Sequence, residues 1–339
     1  MSPASPRRER LEIVILGLSI TSSWGNGHAT TYRGLVRELA RRGHRVLFLE
    51  HDAPWYAAHR DLPCPPYGVT ELYRDLADLD RRFRVRLREA DAVILGSYVR
   101  QGEAVADWIF GQARGVAAFY DIDTPVTLAK LARGDYEYLH PRQIPGFDLY
   151  LSFTGGPILE RLESELGARR ALPLFCSCDP ALYFPAGPKD PAERWDLGYL
   201  GTYSDDRQPA VEALLLEPAR RLGNRRFALA GPGYPPATAW PANVERFEHL
   251  PPGEHRAFYN RQRYTLNVTR ADMRRAGYSP SIRLFEAAAC GTPIISDDWP
   301  GLETFFEPGR EILLAASSGE VERILRDLPE DERRRIGRR

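Results

Sequence analysis

The 339-residue sequence predicts an α/β protein with two domains of similar design, each a parallel sheet covered by helices on both faces. Three observations predict this. Short apolar runs alternate with segments of helical period. The alternation stops once, at a proline-rich stretch, and then restarts. The length suits about two domains of ordinary size.

The first half opens with a strand over Ile13–Leu18, a loop over Ser19–Gly27 and a helix from about His28 to Arg42. In that helix Tyr32, Leu35, Val36, Leu39 and Ala40 fall on one face, and Gly43 is a good stop. Further strands are expected at Arg45–Glu50, Ala92–Leu95, Val116–Tyr120, Leu149–Phe153 and Ala171–Phe175. Pro173, Pro180, Pro185, Pro188 and Pro191 then break the rhythm. The domains are therefore expected at 1–175 and 196–339, with 176–195 as the linker. In the second domain strands are expected at Leu197–Leu200, Arg226–Ala230, Val244–Phe247, Tyr264–Val268, Pro293–Ser296 and Ile312–Leu314, with a helix over Gln208–Leu222. The chain stops at Arg339 inside a helix expected from near Pro329, and that helix reads as unfinished.

Composition narrows the function classes. Basic and acidic residues cancel at 46 each, which removes the simple electrostatic case for nucleic acid or an anionic membrane. Lys130 and Lys189 are the only lysines among them, so single arginines carry little weight as signals. No apolar run approaches the roughly 20 residues that span a bilayer. Leu11–Ile20, after the basic start Met1–Arg10, reads as a buried strand rather than a signal peptide, because Glu12 lies inside it and a glycine turn and amphipathic helix follow. Cys64, Cys176, Cys178 and Cys290 are scattered, and Cys176-Ser-Cys178 is too close for a common zinc pair. A reduced, cytoplasmic protein is the expectation.

Open α/β sheets bind ligands beyond the carboxyl ends of their strands, and the candidate segments all follow strands. Trp24-Gly25-Asn26-Gly27-His28 precedes the first helix. Its glycines allow close backbone approach, the helix start offers N–H groups to an anion, and His28 is suited to proton transfer. Thr30 stands where a dinucleotide fingerprint needs its third glycine, and no Lys-Ser/Thr pair completes a Walker loop. Asp121-Ile122-Asp123-Thr124-Pro125 offers either two carboxylates on one face for a cation, or an Asx turn with Asp123 capping a helix. Ser279-Pro-Ser-Ile-Arg-Leu-Phe-Glu-Ala-Ala-Ala-Cys-Gly-Thr-Pro293 carries most chemistry. It reads as a short helix capped by Ser279, with Pro280 as first helical residue and Ile282, Phe285 and Ala289 buried. Its start and Ser281 would hold a diphosphate, Arg283 would pair with the phosphates, and Glu286, at i+3, would hold both ribose hydroxyls.

These segments resemble the GT-B glycosyltransferases, of the type grouped with the spore-maturation protein CgeB. The resemblance rests on Gly25-Asn-Gly-His28, Arg42-Gly-His-Arg-Val46 and the Ser279–Pro293 segment, and it covers nearly the whole chain. It implies two facing Rossmann-like domains with a cleft between them, the N-terminal one for the acceptor and the C-terminal one for a nucleotide sugar. It implies no obligatory metal or other cofactor, since a helix end and basic side chains take the cation's place. Glu286 matches the family's ribose-binding glutamate, whereas Tyr278 stands where retaining relatives often carry a second one. By the same topology Gly201, Thr202 and Arg207 would reach the diphosphate, Gly231 would border the donor, Leu250 would seat the base, and Thr269 and Arg270 would end a strand near it. His28 or Asp121 would act as base on the acceptor. The expected partners are a nucleotide sugar and an unidentified acceptor, with neither nucleic acid nor an integral membrane segment. A nucleotide-sugar epimerase and a nucleotide-sugar-binding protein without turnover are the competing readings.

Overall fold

Buried β-branched and aliphatic runs pair side by side into two parallel sheets. The structure, a computed structural model, describes residues 10–188 and 190–339. Lys189 and the basic start, Arg10 excepted, lie outside the described residues.

The first sheet contains β1 (Glu12–Gly17), β2 (Arg45–His51), β3 (Val69–Tyr73), β4 (Ala92–Gly96), β5 (Val116–Asp121), β6 (Leu149–Ser152) and β7 (Ala171–Pro173). Their spatial order is β3-β2-β1-β4-β5-β6-β7. Ile13–Leu16 of β1 lies opposite Val46–Leu49 on one side and Ala92–Leu95 on the other, and every side chain of that stretch is buried. Such a run, buried on both faces, is what a central parallel strand requires. Leu79, Phe83, Leu87, Val105 and Ile109 from the covering helices close the core over one face.

The second sheet contains β8 (Trp195–Leu200), β9 (Phe227–Ala230), β10 (Val244–Phe247), β11 (Gln262–Asn267), β12 (Ile294–Ser296) and β13 (Leu313–Leu314), in the order β10-β9-β8-β11-β12-β13. Both orders reverse direction next to their first strand, between β1 and β4 and between β8 and β11. These are the topological switch points at which doubly wound sheets leave a crevice for ligands.

Three expectations need correction. The sequence reading passed over β3, because it is a short edge strand with Thr70 and Glu71 in it and three prolines just before it. The helix expected over Gln208–Leu222 is interrupted by a π-helical turn at Glu212–Leu216, flanked by helices Gln208–Val211 and Glu217–Arg221. Pro218 lacks an N–H and crowds the preceding turn, so a wider turn there relieves it. The stretch expected as a linker belongs to the second compact unit: one unit comprises the chain to Phe153 with Pro157–Leu174, the other Thr154–Gly156 with Phe175–Arg339. Tyr183 is buried with Leu284, Ala287 and Trp299, and Arg256 donates to the Phe184 and Pro185 carbonyls and to Asp190. Among the described residues no helix is long and apolar enough to cross a membrane.

Candidate functional site

In the first unit the chain leaves β1 through a loop tied down by a buried carboxylate. Glu50, at the end of β2, accepts from the Ile20 and Thr21 backbone N–H groups at 2.7 and 2.9 Å and from the Thr21 hydroxyl at 2.6 Å. The loop then turns through Gly25, whose φ of 65° is the left-handed region that glycine enters freely. Asn26 closes the loop: its amide donates to the Ser22 and Trp24 carbonyls, and its Oδ1 accepts from Ala29 N at 3.1 Å. One N–H of the helix start is thereby taken by Asn26, so less of that terminus is open to an anion than the sequence suggested. Gly27 is the N-cap position of helix His28–Arg41, with no side-chain cap of its own.

His28 is 7 % exposed, and its Nε2 lies 2.8 Å from Asp123 Oδ2. The ring packs edge-on against Tyr98, and its Nδ1 is buried without a hydrogen-bond partner among the described residues. The carboxylate facing His28 is thus Asp123 rather than Asp121. Asp121 is fully buried and accepts from Tyr150 Oη at 2.6 Å, Thr127 Oγ1 at 2.7 Å and Asp123 N at 3.2 Å. Burial pushes its carboxyl up to about 6, against the pull of the Tyr150 and Thr127 hydroxyls. This corrects two expectations. Asp121 does not present itself as a base, because its oxygens are occupied inside the core. The two aspartates do not share a face, because the Asx turn from Asp121 to Asp123 N reverses the chain between them. Asp123 occupies the N-cap position of helix Thr124–Ala132, but its side chain makes no cap bond and is spent on His28. Among the described residues no group of three or more His, Cys, Asp or Glu is arranged to hold a metal ion.

In the second unit the carboxyl ends of β8 and β11 bring two arginines together. Arg207 donates to Ser204 Oγ at 2.9 Å and to the Thr202 carbonyl. Arg283 donates to Asn267 Oδ1 at 2.7 Å, and its guanidinium carbon sits 5.3 Å from the centre of the Tyr199 ring. Among the described residues neither arginine has a carboxylate within ion-pair distance. Burial draws the Arg207 guanidinium below its ordinary value, and the charges of Arg283 and Arg270 add to the effect. Among the described residues the buried Tyr199 hydroxyl has no hydrogen-bond partner. Gly201 and Gly231 let the two loops meet here: a Cβ on Gly231, at φ 145°, would stand 2.1 Å from the Gly201 carbonyl oxygen. The arrangement is a set of donors and positive charges in which Asp206 and Asp297 lie near enough to feel the arginines but, among the described residues, no carboxylate pairs with Arg207 or Arg283.

The helix of the Ser279–Pro293 segment starts later than expected. It spans Ile282–Ala289, and Ser281 is its N-cap, accepting from Arg283 N. Ser279 is buried, donates to the Gly277 carbonyl at 2.7 Å and pairs with Thr154 Oγ1 at 2.8 Å, so it neither caps the helix nor faces a ligand. The buried face is Leu284, Glu286 and Ala287, while Ile282, Phe285 and Ala289 are half-buried. Glu286 is 2 % exposed and accepts from Tyr259 Oη at 2.9 Å, with His255 Nδ1 3.6 Å away. The i, i+3 relation of Arg283 and Glu286 therefore does not make them partners, since each is drawn to a different strand or helix. Leu250 is buried, and its carbonyl lies 3.1 Å from His255 Nε2. Thr269 is buried and bonded to Asp297, and Arg270 lies 3.9 Å from Asp206. Tyr278 adopts a left-handed φ of 47°, with its ring against Gly156 and Gly301.

Residues 207–339 match the family described as glycosyl transferase-like. No curated protein sequence matches the chain. Among solved structures, Alr3699/HepE of Anabaena in complex with UDP and glucose superposes with a TM-score of 0.69 at 12 % identity, over 97 % of this chain and 93 % of that one. Sucrose-phosphate synthase tll1590 of Thermosynechococcus elongatus gives 0.63 at 14 % identity, over 96 % and 92 %. An alpha-glucosyltransferase in complex with UDP and a 13-mer DNA containing an HMU base gives 0.67 at 11 % identity, over 97 % and 94 %. The fold is GT-B. Within this GT-B chain, sequence reasoning missed Tyr199, Asn267 and His255, and it read Asp123 as a cation ligand or helix cap rather than as the partner of His28. A signal existed for one of the missed residues: Asn267 ends the central strand β11 at the switch point.

Proposed function

We propose that this chain transfers a glycosyl group from a nucleoside-diphosphate sugar to an acceptor hydroxyl without an obligatory metal. The observation that carries the reading is the Arg207–Arg283 pair beside the unpartnered Tyr199 hydroxyl at the β8/β11 switch point. Like charges held together and partly desolvated are unfavourable until an anion joins them, and a diphosphate is an anion of suitable charge. The same groups would stabilise the departing nucleoside diphosphate, which is the part a divalent cation plays elsewhere.

His28 supplies the base. Asp123 is acceptor-only when ionised, so Nε2 carries the proton between them and the lone pair falls on Nδ1. An acceptor hydroxyl donating to Nδ1 would satisfy a buried atom that has no partner, pass its proton to the ring as the new glycosidic bond forms, and leave an imidazolium beside Asp123. We propose a hexosyl donor, a CgeB-like subtype and a cytoplasmic location, the last supported by four free cysteines. We also propose a small molecule, glycan or protein as acceptor rather than nucleic acid, supported by the even charge balance.

A thermal-shift series with UDP, GDP, TDP and CDP and their sugars, in magnesium and again in chelator, tests the reading. A nucleotide that raises the unfolding temperature equally in both supports it, because a ligand stabilises the native state in proportion to its affinity and concentration. A shift that requires magnesium removes the metal-free claim, and no shift with any nucleotide removes the donor claim altogether.

A further inference from the structure

The half-buried His255 is not used by this mechanism. We infer that His255 is a positioning residue for the nucleotide, held as an imidazolium between the Leu250 carbonyl and the Glu286 carboxylate so that Glu286 stays ionised as acceptor for the ribose hydroxyls. The inference rests on the donor reading above.

The geometry assigns the first proton, and the buried carboxylate argues for the second. His255 lies on helix Pro252–Asn260, and its Nε2 is 3.1 Å from the Leu250 carbonyl oxygen. A carbonyl only accepts, so Nε2 bears hydrogen. Nδ1 points the other way, 3.6 Å from Glu286 Oε1 and 3.3 Å from Tyr183 Oη. Glu286 is buried, and among the described residues His255 is the one cationic group within ion-pair distance of it. A buried carboxylate with no positive partner takes up a proton instead of staying charged. Arg283 does not serve, since it reaches Asn267 and the Val268 carbonyl.

The remaining groups around the pair do not compete for that proton. Tyr183 and Tyr259 face Glu286, and burial and its charge raise both phenols. Burial, helped by the Glu286 charge, pushes the Cys178 and Cys290 thiols up to about 12. On the same helix Glu254 is a neighbour of His255, and Arg256 is engaged by Asp190 at 2.7 Å. Burial pulls the His255 imidazolium down, but Glu286 outweighs it and the net shift is upward. Burial pushes Glu286 up, but His255 and the two tyrosines outweigh it and the net shift is downward. The charged pair therefore persists from below the usual carboxylate range to above the usual imidazole range. It is lost at the alkaline end as pH rises through the raised value of His255. Beyond that point Glu286 is either a lone buried charge or takes up a proton and donates, and either state weakens its hold on ribose hydroxyls.

The test uses the wild-type chain and calorimetric affinities for UDP against 2′-deoxy-UDP, and for GDP against 2′-deoxy-GDP, between about pH 6 and about pH 9.5. Taking each ratio of ribo- to deoxynucleotide cancels the titration of phosphate and base. The ribonucleotide advantage should fall about tenfold across the range, the worth of one hydrogen bond to a charged group. In His255→Gln, which keeps a neutral donor toward Leu250, the advantage should be small and flat with pH. A ratio that stays large and flat in the wild type overturns the inference by itself, whether or not the variant folds. If neither ribonucleotide binds at any pH and the thermal-shift series shows no CDP or TDP binding either, the donor reading fails first and this inference fails with it. Binding with a pH-independent ratio separates the two.

Discussion

The two sheets share a strand order and both carry their chemistry beyond the carboxyl ends of their strands, yet the charges there are arranged in opposite ways. At the end of β1 and β5 the first unit pairs a potential cation with an anion, His28 with Asp123, and leaves one ring nitrogen unpartnered. At the end of β8 and β11 the second unit gathers Arg207 and Arg283 with no anion within ion-pair distance among the described residues. The first arrangement is internally balanced and suited to moving a proton. The second leaves two guanidinium groups without a paired carboxylate, which suits it to receive an anion. One fold, used twice, thus supports two chemistries, because function resides in the side chains at the strand ends and not in the sheet.

The comparison breaks most readily at His28. His28→Ala should lower turnover by about 10²–10⁴-fold, the usual worth of general-base catalysis, and leave nucleotide affinity within twofold or so. Equal loss of both, measured by initial rates and calorimetry on one preparation, would mean that the first unit's pair is not a proton-transfer device. Arg283→Ala should show the reverse pattern, with nucleoside-diphosphate affinity reduced by roughly 10–100-fold through loss of charge-assisted hydrogen bonds. Unchanged affinity would leave the arginine pair without its anion.

A third experiment probes the layer beneath the first site. Burial pushes the Asp121 carboxyl up to about 6 from an ordinary value of 3.8. Because the raised value favours the protonated form, its contribution is fully present below about pH 4 and is lost as pH rises through about 6. A displacement of that size is worth roughly 3 kcal/mol. Denaturant unfolding between those pH values should show the decline in the wild type and not in Asp121→Asn. The smallest effect separates the two glycines of the loop. Gly25→Ala should cost about 1 kcal/mol, since φ 65° strains any residue with a Cβ although the space is open. Gly27→Ala, at φ −85° and with no atom within 4 Å of the added carbon, should change stability by less than about 0.5 kcal/mol. Equal losses in thermal unfolding would show that the loop's shape depends on both.

By itself the sequence determined the α/β class, most of the strands and the segments that hold the candidate site. Apolar periodicity and glycine or proline stops are local signals, and Ile13–Leu16 or Phe227–Ala230 can satisfy their backbones in few other ways than as central strands. It could not determine β3, because an edge strand needs no apolar run. Nor could it decide what each polar side chain touches. Spacing placed Asp121 beside Asp123 and Arg283 beside Glu286, whereas packing parted both pairs. Tyr150 and Thr127 hold Asp121 in the core while the turn sends Asp123 to His28, 95 residues away in sequence. His255 and Tyr259 hold Glu286 while Asn267 takes Arg283. A buried polar group must find its partner wherever the fold supplies one, so its hydrogen bonds are decided by the tertiary structure and not by its neighbours along the chain.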